Sequence, residues 1–136
     1  MARILALDYG KVRTGIAVTD EMQLIASGLT TVPTKELLEF LKKYLANEDV
    51  ERIILGEPKQ MDGTASESEA LIQIFLKKLE KQFPKVRVER QDERFTSKMA
   101  MQSMLAGGVK KKKRQDKALV DEISATLILQ SYLERI

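Results

Sequence analysis

The stretch Arg3-Ile4-Leu5-Ala6-Leu7-Asp8-Tyr9-Gly10-Lys11-Val12-Arg13-Thr14-Gly15-Ile16-Ala17-Val18-Thr19-Asp20 decides the fold. Ile4 to Leu7 is a nearly unbroken apolar run, which suits a strand covered on both faces. The run stops at Asp8, followed at once by Tyr9-Gly10. Thr14 to Thr19 resumes a strand pattern, and Gly10 and Gly15 bracket a basic turn holding Lys11 and Arg13. The segment reads as two strands around a short turn. A carboxylate ending a buried strand has its stem fixed by the core and its head at a surface, as a metal ligand requires. An Asp that opens a turn by accepting local backbone donors fits the same position.

Outward from this hairpin, Leu24 to Val32 reads as a third strand, with Gly28 weakening it or marking a bulge. Links this short predict an antiparallel meander. Pro33-Thr34 signals a helix start with Thr34 as N-cap, and Leu37, Leu38, Leu41 and Leu45 form its apolar stripe. Arg52 to Gly56 is a short buried strand leading into a loop with Pro58 and Asp62-Gly63. Ser66 and Glu69 form a capping-box pattern before a helix with Leu71, Ile74, Phe75 and Leu79 on its apolar side. Val86 to Glu89 alternates as a fifth strand running to Asp92. A helix over Met99 to Leu105, closed by Gly107-Gly108, and a last helix from about Lys117 to Leu133 complete the chain. The order β-β-β-α-β-α-β-α-α predicts an α/β fold: a five-stranded mixed sheet, three antiparallel strands then parallel ones, with helices on both faces.

At 136 residues the chain is expected to form a single domain, 1–136, with a core of its own. No apolar run approaches the roughly 20 residues of a membrane span, and the amino end lacks a signal-peptide pattern, so no membrane partner and a cytoplasmic location are expected. The chain has no Cys and no His. That removes thiolate and imidazole metal sites and every nucleophilic triad built on His. Chemistry must come from carboxylates, Lys, Arg, Tyr, hydroxyls and backbone amides, and carboxylates select hard cations such as Mg²⁺ or Mn²⁺. The net charge is +3, but Gly107 to Lys117 holds six of the 23 basic residues against one acid. A polyanion contact is therefore sought at Lys110, Lys111, Lys112, Lys113 and Arg114 rather than over the whole surface.

Three acids stand at places from which they can meet. Asp8 ends the first strand, Glu93 follows the fifth, and Asp121 lies in the first turns of the last helix. At 100° per residue Ala125, Ile128 and Tyr132 fall within about 40° of Asp121, so this acid shares an apolar, sheet-facing stripe. Glu122 falls off that stripe and reads as solvated surface. An unpaired charge on a buried stripe is costly, so a cation compensates Asp121 or it sits at the solvated rim. For Glu93, an ion pair with Arg90 or Arg94 is the competing role.

Four segments resemble one known family. Asp8-Tyr9-Gly10-x-x-Arg13-x-Gly15-Ile16-Ala17-Val18 resembles the opening signature of the YqgF/RuvX family, small bacterial proteins with a ribonuclease H-like fold. Leu55-Gly56-x-Pro58-x-x-Met61-Asp62-Gly63 resembles its second motif, and Asp92-Glu93-Arg94-Phe95-Thr96 its third. Asp121-x-x-Ser124-Ala125-x-x-x-Ile128-Leu129-Gln130-x-Tyr132-Leu133 resembles its carboxyl-terminal helix. Glu57 and Lys59 depart from the second motif, where apolar or small polar residues are usual; Phe95 and Ser124 are milder departures.

The resemblance implies a metal-dependent nuclease that processes the 5′ end of pre-16S rRNA in ribosome biogenesis, or a Holliday junction resolvase acting on DNA. It implies Asp8, Glu93 and Asp121 as catalytic acids and ligands of Mg²⁺ or Mn²⁺. The nucleic-acid contacts would be Lys11, Arg13, Arg94 and Lys110 to Arg114, with a structured RNA or a DNA junction as partner and a monomer or weak homodimer as the working form. Two other classes share parts of the pattern. Actin- or hexokinase-like ATPases open with a similar acid and Gly-bearing turn but bind nucleotide between two such domains, and this chain has room for one. A non-catalytic RNA-binding assembly factor would use the same basic run for salt-dependent phosphate contacts.

Overall fold

The computed structural model describes residues 2–58, 68–92 and 117–136. Strands β1 (Arg3–Asp8), β2 (Arg13–Thr19) and β3 (Ala26–Pro33) form the meander that short links demand. One 3-10 turn (Thr34–Glu36) leads into helix α1 (Leu37–Asn47), then β4 (Val50–Glu57), α2 (Glu69–Gln82), β5 (Arg87–Asp92) and α3 (Lys117–Arg135). The sheet order is β3-β2-β1-β4-β5. β1 pairs antiparallel with β2 and parallel with β4, and β5 adds parallel to β4. The expected helix over Met99 to Leu105 lies outside the described residues.

Because side chains alternate across a strand, β1 feeds two cores. Leu5 and Leu7, with Ile16, Ile53 and Leu55, pack against Leu37 and Leu41 of α1 and Ile72, Phe75 and Leu79 of α2. Ile4 and Ala6, with Ala17 and Ile54, pack against Ala125, Ile128, Leu129 and Tyr132 of α3. Continuous burial on both sides explains why Ile4 to Leu7 reads as one apolar run.

Three local expectations need correction. Thr34 is not a helix N-cap: its hydroxyl donates to Gly10 O at 2.5 Å and accepts from the Thr14 hydroxyl at 2.9 Å. Its amide also donates to Val12 O, so Thr34 pins the turn after Asp8 instead of capping α1. On α2 the buried stripe is Ile72-Phe75-Leu79, while Leu71 and Ile74 stay 41% and 56% exposed. Glu69 begins α2, but its carboxylate accepts bonds from Arg90 at 2.8 and 2.9 Å rather than turning back to a cap; Ser66 lies outside the described residues. Gly28 does mark a bulge, for the register with β2 shifts between Ile16 and Ala17.

The Glu69–Arg90 pair ties α2 to β5, and Arg90 also donates to Leu55 O and Gly56 O. The hydrogen bonds from Arg90 hold the Glu69 carboxyl below its ordinary value of 4.5. Since the folded state lowers this pKa, the pair's contribution is complete above about pH 4.5 and is lost as pH falls through the depressed value. Glu69→Gln is expected to cost about 1–3 kcal/mol at pH 7, with urea midpoints of variant and wild type converging in acid. Equal midpoints at pH 7 would remove the pair from the stability account.

Candidate nucleic-acid cleavage site

The site begins with the β1–β2 hairpin. Its register sets Leu7 opposite Ile16 and Asp8 opposite Gly15. Asp8 continues the Ile4-Ala6 row, so its side chain stands on the α3 face of the sheet, and Gly15 shares that face with Ala17. Gly15 has no side chain for a structural reason. A Cβ there would lie 2.0 Å from the carbonyl oxygen of Asp121 and 2.9 Å from the amide nitrogen of Glu122. The main chain of α3 at Asp121 therefore rests directly on the residue paired with Asp8. Cross-strand partners carry their β-carbons about 4.5–5.5 Å apart. Asp8 and Asp121 thus belong to one corner of the molecule.

Three further contacts fix that corner. Thr31, opposite Gly15 on β3, donates through its hydroxyl to Ala118 O at 2.7 Å and anchors the first turn of α3. Arg13 Nε stands 2.6 Å from Asp121 Oδ2, an ion pair in which both side chains are partly buried. Glu122 lies across Gly28, where a Cβ would meet its side chain at 2.5–3.0 Å. It is therefore half-buried against β3 rather than solvated.

The far end of α3 is held as firmly. The Tyr132 hydroxyl is buried, donates to the Glu89 carboxylate and accepts from Arg52 at 2.6 Å. Burial, and then the bond to Glu89, push its phenol pKa up. Tyr132 thereby clamps α3 to β4 and β5.

Among the described residues, then, Asp8 and Asp121 come to one corner, and Arg13 joins them as the ion-pair partner of Asp121 with its side chain still 35% exposed. Lys11 is exposed on the hairpin turn. Glu57 ends β4 opposite Asp92 of β5. Glu93, Arg94, Lys110, Lys111, Lys112, Lys113, Arg114 and Lys59 lie outside the described residues. No group of three acids that could hold a metal occurs among the described residues. The two acids present fit a hard cation in chemistry: both offer oxygen donors, and the Asp121 side chain keeps 25% exposure. No helix of the described residues is long and apolar enough to cross a membrane.

Gly15 and Thr34 are the residues whose roles sequence reading missed. A glycine inside a strand pattern is a known sign of close backbone approach, while its place opposite Asp8 depends on the hairpin register, which leaves Tyr9 to Thr14 between the pair.

The chain is 68% identical over 133 residues to a protein of Christiangramia forsetii named "Putative pre-16S rRNA nuclease", covering 98% of each. A protein of the same name from Phocaeicola vulgatus is 63% identical over 134 residues, with 98% of this chain and 96% of the relative covered. The Porphyromonas gingivalis protein of that name is 54% identical over 98% of this chain and 97% of its own. Among solved structures, T. thermophilus RuvC in complex with Holliday junction substrate superimposes with a TM-score of 0.53 at 16% identity, covering 99% of this chain and 96% of that one. That likeness establishes the ribonuclease H-like fold. A family model described as "RuvX: Holliday junction resolvase" matches residues 2–135, and the chain belongs to that family.

Proposed function

We propose that this chain, one domain over residues 1–136, is a divalent-cation-dependent nuclease of the cytoplasm that trims the 5′ end of pre-16S rRNA. The observation that carries the proposal is the placement of Asp121 on Gly15, the strand partner of Asp8. Two carboxylates at one corner repel, and a bound cation relieves that repulsion. Asp8, Asp121 and Glu93 would hold Mg²⁺ or Mn²⁺. Glu93 follows Gln91 by two residues, and Gln91 pairs with Gly56 on the Asp8 face of the sheet. The bound cation would supply Lewis acidity and an activated water for phosphodiester hydrolysis.

The chain's own residues do the positioning. Thr34 and Thr14 hold the turn after Asp8, Gly15 lets Asp121 approach, and the Arg13 guanidinium balances the Asp121 charge. Lys11, Arg94 and Lys110 to Arg114 would attract the phosphate backbone without choosing sequence. Partners are then structured RNA, with the protein acting as a monomer or weak homodimer.

The test is one assay on purified protein with Mg²⁺ or Mn²⁺. Labelled pre-16S 5′ leader, unstructured RNA and a four-way DNA junction are compared side by side. Cleavage of the leader, abolished by EDTA, is expected. Cleavage of the junction alone would assign the protein to DNA, and cleavage of nothing would make it a binding factor.

A further inference from the structure

A groove of about 390 Å³ opens on the other face of the hairpin, between the turn after Asp8, the start of α1 and the outer side of α2. That volume falls within the range of roughly 300–1,000 Å³ typical of small-ligand clefts. Its apolar wall is Leu71 and Ile74, the two residues that periodicity assigns to the core and that the fold leaves in water. Its base is the Tyr9–Phe75 ring pair, with centroids 4.9 Å apart. Its rim carries Lys11, Lys35 and Lys78, from three different elements, and among the described residues no carboxylate lines it.

We infer that this groove seats one unpaired nucleotide of a single-stranded segment, next to the phosphodiester at Asp8; the inference rests on the nuclease reading. Two large apolar side chains kept exposed beside an aromatic pair offer a flat wall for a base. Three lysines, with no acid beside them among the described lining residues, suit the flanking phosphates. Tyr9 follows Asp8 directly in the chain, so strand alternation puts the groove and the Asp8 carboxylate on opposite sides of the same sheet end. A strand crossing that end would meet both. An acidic amphipathic peptide satisfies the lysines equally, but nothing in its chemistry calls for adjacency to Asp8.

The experiment uses the full chain and titrates a fluorescein-labelled single-stranded RNA 12-mer and a duplex of equal length, by anisotropy from 50 to 200 mM salt. Lys35→Ser with Lys78→Ser is expected to weaken single-strand binding and flatten the salt slope by about 1.4, from about 0.7 per phosphate. Leu71→Ser with Ile74→Ser is expected to weaken single-strand binding at least about fivefold, with the salt slope and the duplex affinity unchanged. All four side chains are exposed, and melting curves matching wild type confirm folding.

Wild-type single-strand affinity in both variants, from a protein that cleaves RNA normally, would overturn the groove and leave the nuclease reading standing. A wild type that neither binds nor cleaves RNA overturns both. Saturable binding of a Glu-rich amphipathic peptide, lost in both variants while RNA affinity holds, would give the groove to a protein partner and overturn the nucleotide assignment.

Discussion

Asp8→Asn is expected to remain folded, with Tm within about 5 °C of wild type, and to lose more than about 100-fold in cation-dependent cleavage. The fold survives because Asn keeps the shape of Asp at a strand end whose stem is held by Leu7 and the Thr34-pinned turn. An effect of about 1 kcal/mol on stability corresponds to only a few degrees. Cleavage fails because an amide is a far weaker donor to a hard cation than a carboxylate. Loss of a residue that merely supports a ligand costs about 10–100-fold in affinity or activity, so a ligand itself should cost more. Calorimetric titration with Mn²⁺ should show weakened binding in parallel. Cleavage within about threefold of wild type would remove Asp8 from the chemistry, since a factor of three is less than 1 kcal/mol.

Gly15→Ala is expected to injure both stability and activity, by a route with no chemistry in it. The added methyl would sit 2.0 Å from the Asp121 carbonyl oxygen and 2.3 Å from its carbon. These are backbone atoms of a helix pinned by Thr31 at one end and Tyr132 at the other, so no rotamer change relieves the clash. Overpacking of this kind costs about 1–3 kcal/mol, and Tm should fall by at least about 4 °C. The helix must also lift, carrying Asp121 away from Asp8, and a misplacement of about 1 Å can cost 100-fold in rate. Gly28→Ala is the control. There the nearest atoms to the methyl are side-chain atoms of Glu122, Oε1 at 2.5 Å and Cγ at 2.8 Å, which a change of the Glu122 rotamer can carry away, so a smaller loss than at Gly15, about 1 kcal/mol, is expected. Equal behaviour of the two variants would show that α3 is not seated on Gly15 as described.

Much of this architecture can be read from the chain. The run Ile4 to Leu7 announces a strand buried on both faces, and the spacing of Ala125, Ile128 and Tyr132 announces the helix that covers one of them. The order of elements gives the mixed sheet. Local periodicity does not choose between neighbouring stripes. On α2 the large apolar residues 71, 72, 74, 75, 76 and 79 span a broad arc, and only the sheet decides that Ile72-Phe75-Leu79 turns inward. Thr34 shows a second limit, since a hydroxyl beside a helix start can serve the helix or a distant turn, and the distant Gly10 carbonyl wins. Arg13 shows a third. Its ion-pair partner is a carboxylate that arrives from more than a hundred residues away, which no local pattern announces. The corner itself needs the register of the hairpin and the seat of α3, which are properties of packing.

That seat has a consequence for how the molecule comes into being. The sheet face carrying Asp8 is covered by α3, which begins more than a hundred residues after β1 ends. At synthesis rates of about 5–20 residues per second, Ile4, Ala6 and Ala17 wait roughly 5–20 s for their cover. The described cover of the other face, α1 and α2, is synthesised well before α3. Pairings across such long sequence separations form slowly, because loop closure must precede any gain from contact. The last part of the nascent chain to dock is thus the part that carries Asp121, and a molecule interrupted before then holds the sheet without the helix that brings Asp121 to Asp8.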